Sequence, residues 1–223
     1  MKNLLYLYIL VLFVHCKPEK NTETGIIEYL KWDNDTNYNY REFQSVSDST
    51  LTKIFIAQRW ENIDDSTWQF EYTWRNIDSM PINKSIERYT PNRVELIAQY
   101  IYELGENNKI QEVAFDIGKN NSCVLNSGGC SFDASAKFVI DSTFQMQVHT
   151  DMIYTFKQID SLPENKRDCL VVTSDDRISF NFSDSRRDTV ITTKGIRIYS
   201  KGVGLIFFSD FDGTNKVTYT LKN

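Results

Sequence analysis

Along most of the chain hydrophobic and polar residues alternate with a period of two, the pattern of β-strands that bury one face. Trp68, Phe70, Tyr72 and Trp74 alternate with Thr67, Gln69, Glu71, Thr73 and Arg75. Across 93–104, Val94, Leu96, Ala98, Tyr100, Tyr102 and Leu104 fall on one face, with Glu95, Gln99 and Glu103 on the other. Phe138, Ile140, Phe144, Met146 and Val148 share a face interrupted by Ser142, and shorter runs follow at 152–156, 178–182, 190–199, 203–208 and 217–221. Turn signals separate the runs, among them Gly105-Glu106-Asn107-Asn108, Ser174-Asp175-Asp176 and Asp212-Gly213. No segment long enough for three helical turns carries a helical stripe. The pattern therefore predicts an all-β protein built on a large curved antiparallel sheet, half-barrel or sandwich-like. Strands near ten residues long favour the coiled or barrel-like form over a compact immunoglobulin sandwich.

The first residues follow different rules. Lys2 precedes Leu4–Val14, a charge-free apolar run with the layout of a secretory signal. It is shorter than the roughly 20 apolar residues that span a bilayer. The run stops at Cys16, after which "KPEKNTET" is polar. Phe13-Val14-His15-Cys16 resembles the lipobox of bacterial lipoproteins, whose cysteine becomes the acylated N-terminus, although Phe13 and His15 depart from the usual leucine and small residue. The resemblance implies a signal peptide over 1–15, lipidation at Cys16 and a tether over 16–24. A signal cleaved elsewhere, or left uncleaved, is the alternative. No Pro-rich, Gly/Ser-rich or single-sign run interrupts the chain after Thr24, so 25–223 reads as a single β-rich domain. The expected location is the bacterial cell envelope, lipid-anchored, at the periplasmic or surface face of the outer membrane.

Losing 1–15 removes one lysine and no acid, leaving the chain one charge more negative than the full-length −5. That balance argues against nucleic acid, whose phosphates demand clustered Lys and Arg. Of the remaining cysteines, Cys123 and Cys130 flank Asn126-Ser127-Gly128-Gly129, a turn composition that brings them together. Export to an oxidising compartment then predicts a disulfide. Cys169, before Leu170-Val171-Val172, reads as a small buried hydrophobe in a strand.

Candidates for chemistry are few. His15 leaves with the signal, so His149 in "QVHTDM" is the one histidine available as a base, and its position suits a turn. A Cys169–His149 nucleophile pair is conceivable and would make a hydrolase. "DNDTNYNYREFQ" sets Asp33, Asp35 and Asn37 like the first EF-hand ligands, but Tyr38 stands where glycine is needed and Gln44 where glutamate is needed. Asp210 and Asp212 flank an Asp-Gly hairpin signal. "YSKGVG" is neither a nucleophile elbow nor a dinucleotide loop. No catalytic residue, metal ligand or cofactor is expected.

"DCLVV" at 168–172 and "IYSKGVGLIFF" at 198–208 resemble the paired C-terminal motif of a group of uncharacterised exported bacterial lipoproteins, sometimes labelled TapB-like. The resemblance implies a signal-bearing, β-rich envelope protein with no established activity, and it carries over no catalytic residue. Gly202 and Gly204 suit a tight turn or bulge that admits no side chain. The aromatic stripe Trp68, Phe70, Tyr72 and Trp74 is core in one reading and a candidate ligand groove in the other. These residues lead to a non-catalytic binding or structural module of the envelope, partnered with the membrane through its lipid and with a hydrophobic small molecule or an envelope protein. A carrier of an acyl chain and a His149-dependent hydrolase are the alternatives. If Cys16 is acylated, cells fed labelled palmitate will label the wild type and not Cys16→Ala; label that survives the substitution overturns the lipid anchor.

Overall fold

The structure is a computed structural model that describes residues 25–32, 38–46, 53–104, 109–125, 130–139, 145–159, 168–183 and 188–222. Cys16, the signal and the tether lie outside them, as do Asp33, Asp35 and the Gly105–Asn108 turn.

After a six-residue helix α1 (Gly25–Leu30) come β1 (Tyr38–Ser45), β2 (Lys53–Asp64), β3 (Thr67–Arg75), β4 (Pro81–Thr90), β5 (Arg93–Leu104), β6 (Ile110–Ala114), β7 (Asp116–Ile117), β8 (Ser122–Val124), β9 (Cys130–Val139), β10 (Gln145–Ile159), β11 (Cys169–Phe182), β12 (Thr189–Ser200), β13 (Gly204–Phe211) and β14 (Lys216–Leu221). The described strands form one 14-stranded antiparallel sheet, ordered β6-β5-β4-β3-β2-β1-β14-β13-β12-β11-β10-β9-β7, with β8 on β5. The expected large curved sheet is thus a nearly closed barrel. Its order is mostly that of successive hairpins, which need only short connections. The Asp-Gly hairpin forms as the sequence predicts, with Gly213 at φ 92° and Asp212 accepting from the Thr214 and Asn215 amides.

Two edges remain, β5 and β9, and the intervening chain stitches them together. After β6 on β5, the Phe115 amide donates to Gln99 O of β5 and the Gly118 amide to Asp133 O of β9. Asn121 O then accepts from Leu96 of β5, β8 runs along Arg93–Glu95, and Cys123 bonds to Cys130, the first residue of β9. The disulfide therefore spans the seam. With so short a loop its direct contribution is about 2.5 kcal/mol on the chain-entropy model.

Three sequence expectations need correction. The run from Phe138 to Val148 is not one strand but the end of β9 and the start of β10, paired Phe138↔Met146, with 140–144 outside the described residues. Ser174-Asp175-Asp176 is not a turn. It sits within the 14-residue β11, paired on both flanks, and sheet context overrides the weak strand preference of Ser and Asp. In β5 the alternation breaks because Ile86 pairs with Ala98 while Glu87 pairs with Leu96, leaving Ile97 as an extra residue. Past that bulge Gln99, Ile101 and Glu103 take the inward face and Tyr100 and Tyr102 the outward one, where they meet Lys84 and Glu112.

The paired motif at the C-terminal end has a structural job. Its halves are hydrogen-bonded neighbours, with Cys169 opposite Ser200 and the Lys201 amide donating to Asp168 O. Together they seat the α1 segment: the Gly202 amide donates to Glu28 O at 2.9 Å, Lys201 Nζ pairs with Glu28 at 2.6 Å, and Arg41 donates to Val203 O. Leu30 and Trp32 enter the barrel end, held by Gln58, whose side chain donates to Leu30 O and accepts from the Trp32 amide. Trp32, Gln58 and Phe43 are fully buried. Satisfying both backbone groups of a plug that has no strand partner is what makes a glutamine tolerable there. Gly204 completes the seat, since at φ 83° an added Cβ would lie 1.8 Å from Trp32 Cδ1. Gly204→Ala combines left-handed strain with a clash against a buried ring and is expected to cost roughly 3 kcal/mol or more. Denaturant unfolding checks this; a loss under about 0.5 kcal/mol, the scale of a neutral surface change, contradicts the plug.

Candidate functional site

Inside the barrel lies a cavity of about 790 Å³. Strand alternation sorts its wall. Val148 and Met152 of β10, Ile178 and Phe180 of β11, Phe138 of β9 and Ile54 of β2 give an apolar stretch, while Trp74, Phe208 and Tyr219 give an aromatic one. The rings interlock: Trp74 meets Phe208 edge-on at 4.9 Å and Phe208 stacks on Tyr219 at 4.8 Å. Phe43 links Phe208 to Trp32 of the plug, at 5.4 and 6.3 Å. Outward on the same strands stand Asp151, Asp175, Arg177 and Lys194. No helix among the described residues is long and apolar enough to cross a membrane.

The stripe proposed from sequence divides. Tyr72 and Trp74 line the cavity. Phe70 is fully buried, stacked against Tyr72 and edge-on to Tyr89. Trp68 sits 5.5 Å from Trp60 with Lys31 Nζ 3.3 Å from its centroid. Burial between these rings lowers the Lys31 pKa.

A polar group interrupts the apolar wall. Arg197 of β12 points inward between Val172 of β11 and Phe208 of β13, 5.8 Å from the Trp74 ring. Protein surrounds it, yet part of its surface stays accessible because that surface faces the cavity. Its neighbour along the inward face is Gly195. A Cβ there would meet Ser174 Oγ at 2.5 Å and Asp210 Oδ1 at 2.9 Å, so the missing side chain is what lets those two groups approach.

The carboxylates nearby are committed or displaced. Glu87 accepts from Tyr89 Oη at 2.6 Å and its pKa is raised by burial. Asp176 accepts from Ser174 Oγ at 3.3 Å through Oδ2, while its Oδ1 is buried without a hydrogen-bond partner. Desolvation pushes Asp176 up to about 6, against the opposing pull of Arg197. Because the folded-state value is raised, Asp176 favours folding below its unfolded value near 4, and that contribution is lost as pH rises through about 6. Tyr154 and Tyr199 also face Arg197, and burial holds both hydroxyls neutral, with pKa values above the ordinary range.

The hydrolase pair does not assemble. His149 lies mid-strand in β10, not in a turn, with its ring on the outer face 3.1 Å from Asp151. In the β10–β11 register His149 pairs with Ser179 and Cys169 with Ile159, so ten residues, on the order of 30 Å, separate them along the strands. Cys169 is fully buried by the α1 seat, and burial raises its thiol pKa. Asp210 faces the cavity while Asp212 caps the hairpin turn. Among the described residues no group of His, Cys, Asp and Glu is placed to hold a metal.

Sequence reasoning passed over Arg197, Asp176, Glu87 and Gln99. In "KGIRIYS" the isoleucines alternate with Gly195, Arg197 and Tyr199, and it is the second set that faces inward. An arginine in phase with a glycine and a tyrosine was the available signal.

No family model and no curated protein matches this chain. Two solved structures resemble it weakly. One, described as a candidate lipoprotein from Parabacteroides distasonis, has a TM-score of 0.41 and 14% identity over 85% of this chain and 95% of its own. The other, described as a candidate exported protein with a YmcC-like fold from Bacteroides fragilis, has a TM-score of 0.43 and 9% identity over 86% of this chain and 97% of its own. At these scores neither likeness carries an inference about this protein.

Proposed function

We propose that the chain is a lipid-anchored envelope protein whose barrel binds an amphipathic, mainly apolar small molecule without transforming it. The observation that carries this reading is the cavity: about 790 Å³ of space, walled by aromatic and aliphatic side chains with a few convergent polar groups. That volume lies within the range of small-molecule sites, roughly 300–1,000 Å³. A filled core would have favoured the structural module; an open lumen favours the carrier. The anchor rests on the apolar run ending at Cys16 and on the lipoprotein-like motif pair. The non-catalytic reading rests on the separation of His149 from Cys169 along β10 and β11.

The test uses N-phenyl-1-naphthylamine, an uncharged apolar dye that fluoresces when removed from water. Ile178 faces the lumen opposite Thr150, so Ile178→Trp fills the site, whereas Ile153→Trp adds the same ring to the outer face, where Ile153 is 50% exposed. Saturable dye binding is expected in the wild type and in Ile153→Trp, with at least a tenfold loss in Ile178→Trp and unchanged far-UV circular dichroism. Equal binding by both variants, or none by the wild type, contradicts a lumenal site.

A further inference from the structure

Building on the lumenal reading, we infer that Arg197 is a head-group anchor and that the barrel takes single-chain amphiphiles ending in an anion, a carboxylate or a phosphate monoester. Arg197 is a cation facing the cavity, and among the described residues no carboxylate comes within the 4.0 Å of an ion pair. The groups that face it explain why. Glu87 takes its hydrogen bond from Tyr89, Asp176 takes one from Ser174, and Asp210 Oδ1 lies in the space that Gly195 leaves open. Tyr154 and Tyr199 are neutral phenols. The guanidinium lines the cavity with one flank 5.8 Å from the Trp74 ring. Asp176 and Asp210 attract this cation through space without contacting it, and a planar fork of N–H donors is best satisfied by two oxygens of one anion. The unmatched acceptors do not compete for this role: Asp176 Oδ1 and Gln99 Oε1 are buried out of reach of a ligand. Beyond the polar band the wall turns apolar at Val148, Ile178 and Phe180, which gives the chain of such a ligand its place.

The experiment compares dodecanoate, dodecyl phosphate and 1-dodecanol by displacement of N-phenyl-1-naphthylamine at pH 8, above the value of about 6 for Asp176, where its through-space attraction for Arg197 is strongest. The wild type is expected to bind at least one of the two anions tenfold or more tighter than the alcohol, and the stronger anion identifies the head group. Arg197→Gln is expected to lose that preference while keeping its affinity for dodecanol. The wild-type comparison needs no variant, so it stands even if Arg197→Gln fails to fold. Equal affinity for alcohol and anions, with the dye still displaced, overturns the anchor and leaves the lumenal site intact. A preference that survives in folded Arg197→Gln also overturns it. Failure of all three ligands to displace the dye overturns both.

Discussion

Closing a sheet of this many strands decides what its interior can be. Eight strands enclose a space that side chains just fill, and sixteen or more leave a channel. Fourteen strands, several of them short seam pieces, fall between these, so even a lumen furnished with Phe, Tyr and Trp keeps unfilled volume. The rest of the molecule manages that consequence. The α1 segment stoppers one end, with Trp32 resting against the glycine-cleared seat of β13 and Gln58 meeting the backbone of the plug. The seam between β5 and β9 is closed by alternating short strands and a disulfide, which removes exposed ladder edges that would otherwise recruit other chains.

Space inside a barrel makes polar residues affordable there only when they are paired or useful. Glu87 with Tyr89 and Asp176 with Ser174 are paired, and burial shifts both acids toward their neutral forms. Arg197 cannot shed its charge within the physiological range, so it keeps a need that the described residues around it leave unmet. Gly195 and the Ile97 bulge contribute by subtraction and by phase: the first clears room beside Arg197, and the second turns Gln99 and Glu103 inward. The polar band is therefore a product of local backbone irregularity as much as of residue choice.

The fold class was legible because it depends on alternation, which survives in single strands such as Thr67–Arg75, and on strong local turns such as Asp212-Gly213. Bulges were not legible. One extra residue at Ile97 reverses the faces of half a strand, and no local composition marks it. Ser174-Asp175-Asp176 misled for a related reason, since a polar run reads as a turn unless the lumen it faces is known. Of the aromatic stripe, Tyr72 and Trp74 reach the cavity, Tyr72 also meeting Trp32 of the plug, while Phe70 is fully buried and Trp68 packs against Lys31 and Trp60. Cys123 and Cys130 were near enough in sequence to suggest their bond, but not that it would cross the seam.

The central claim is that the interior of the barrel, and not its outer surface, is where the ligand resides. Crystals soaked with 12-bromododecanoate and measured at the bromine absorption edge test it most directly. The account predicts one dominant anomalous peak inside the barrel, among Val148, Ile178 and Phe180, with the carboxylate density directed at Arg197. Bromine found only on the outer face of β10–β14, beside a lumen collapsed onto its own side chains, would contradict it.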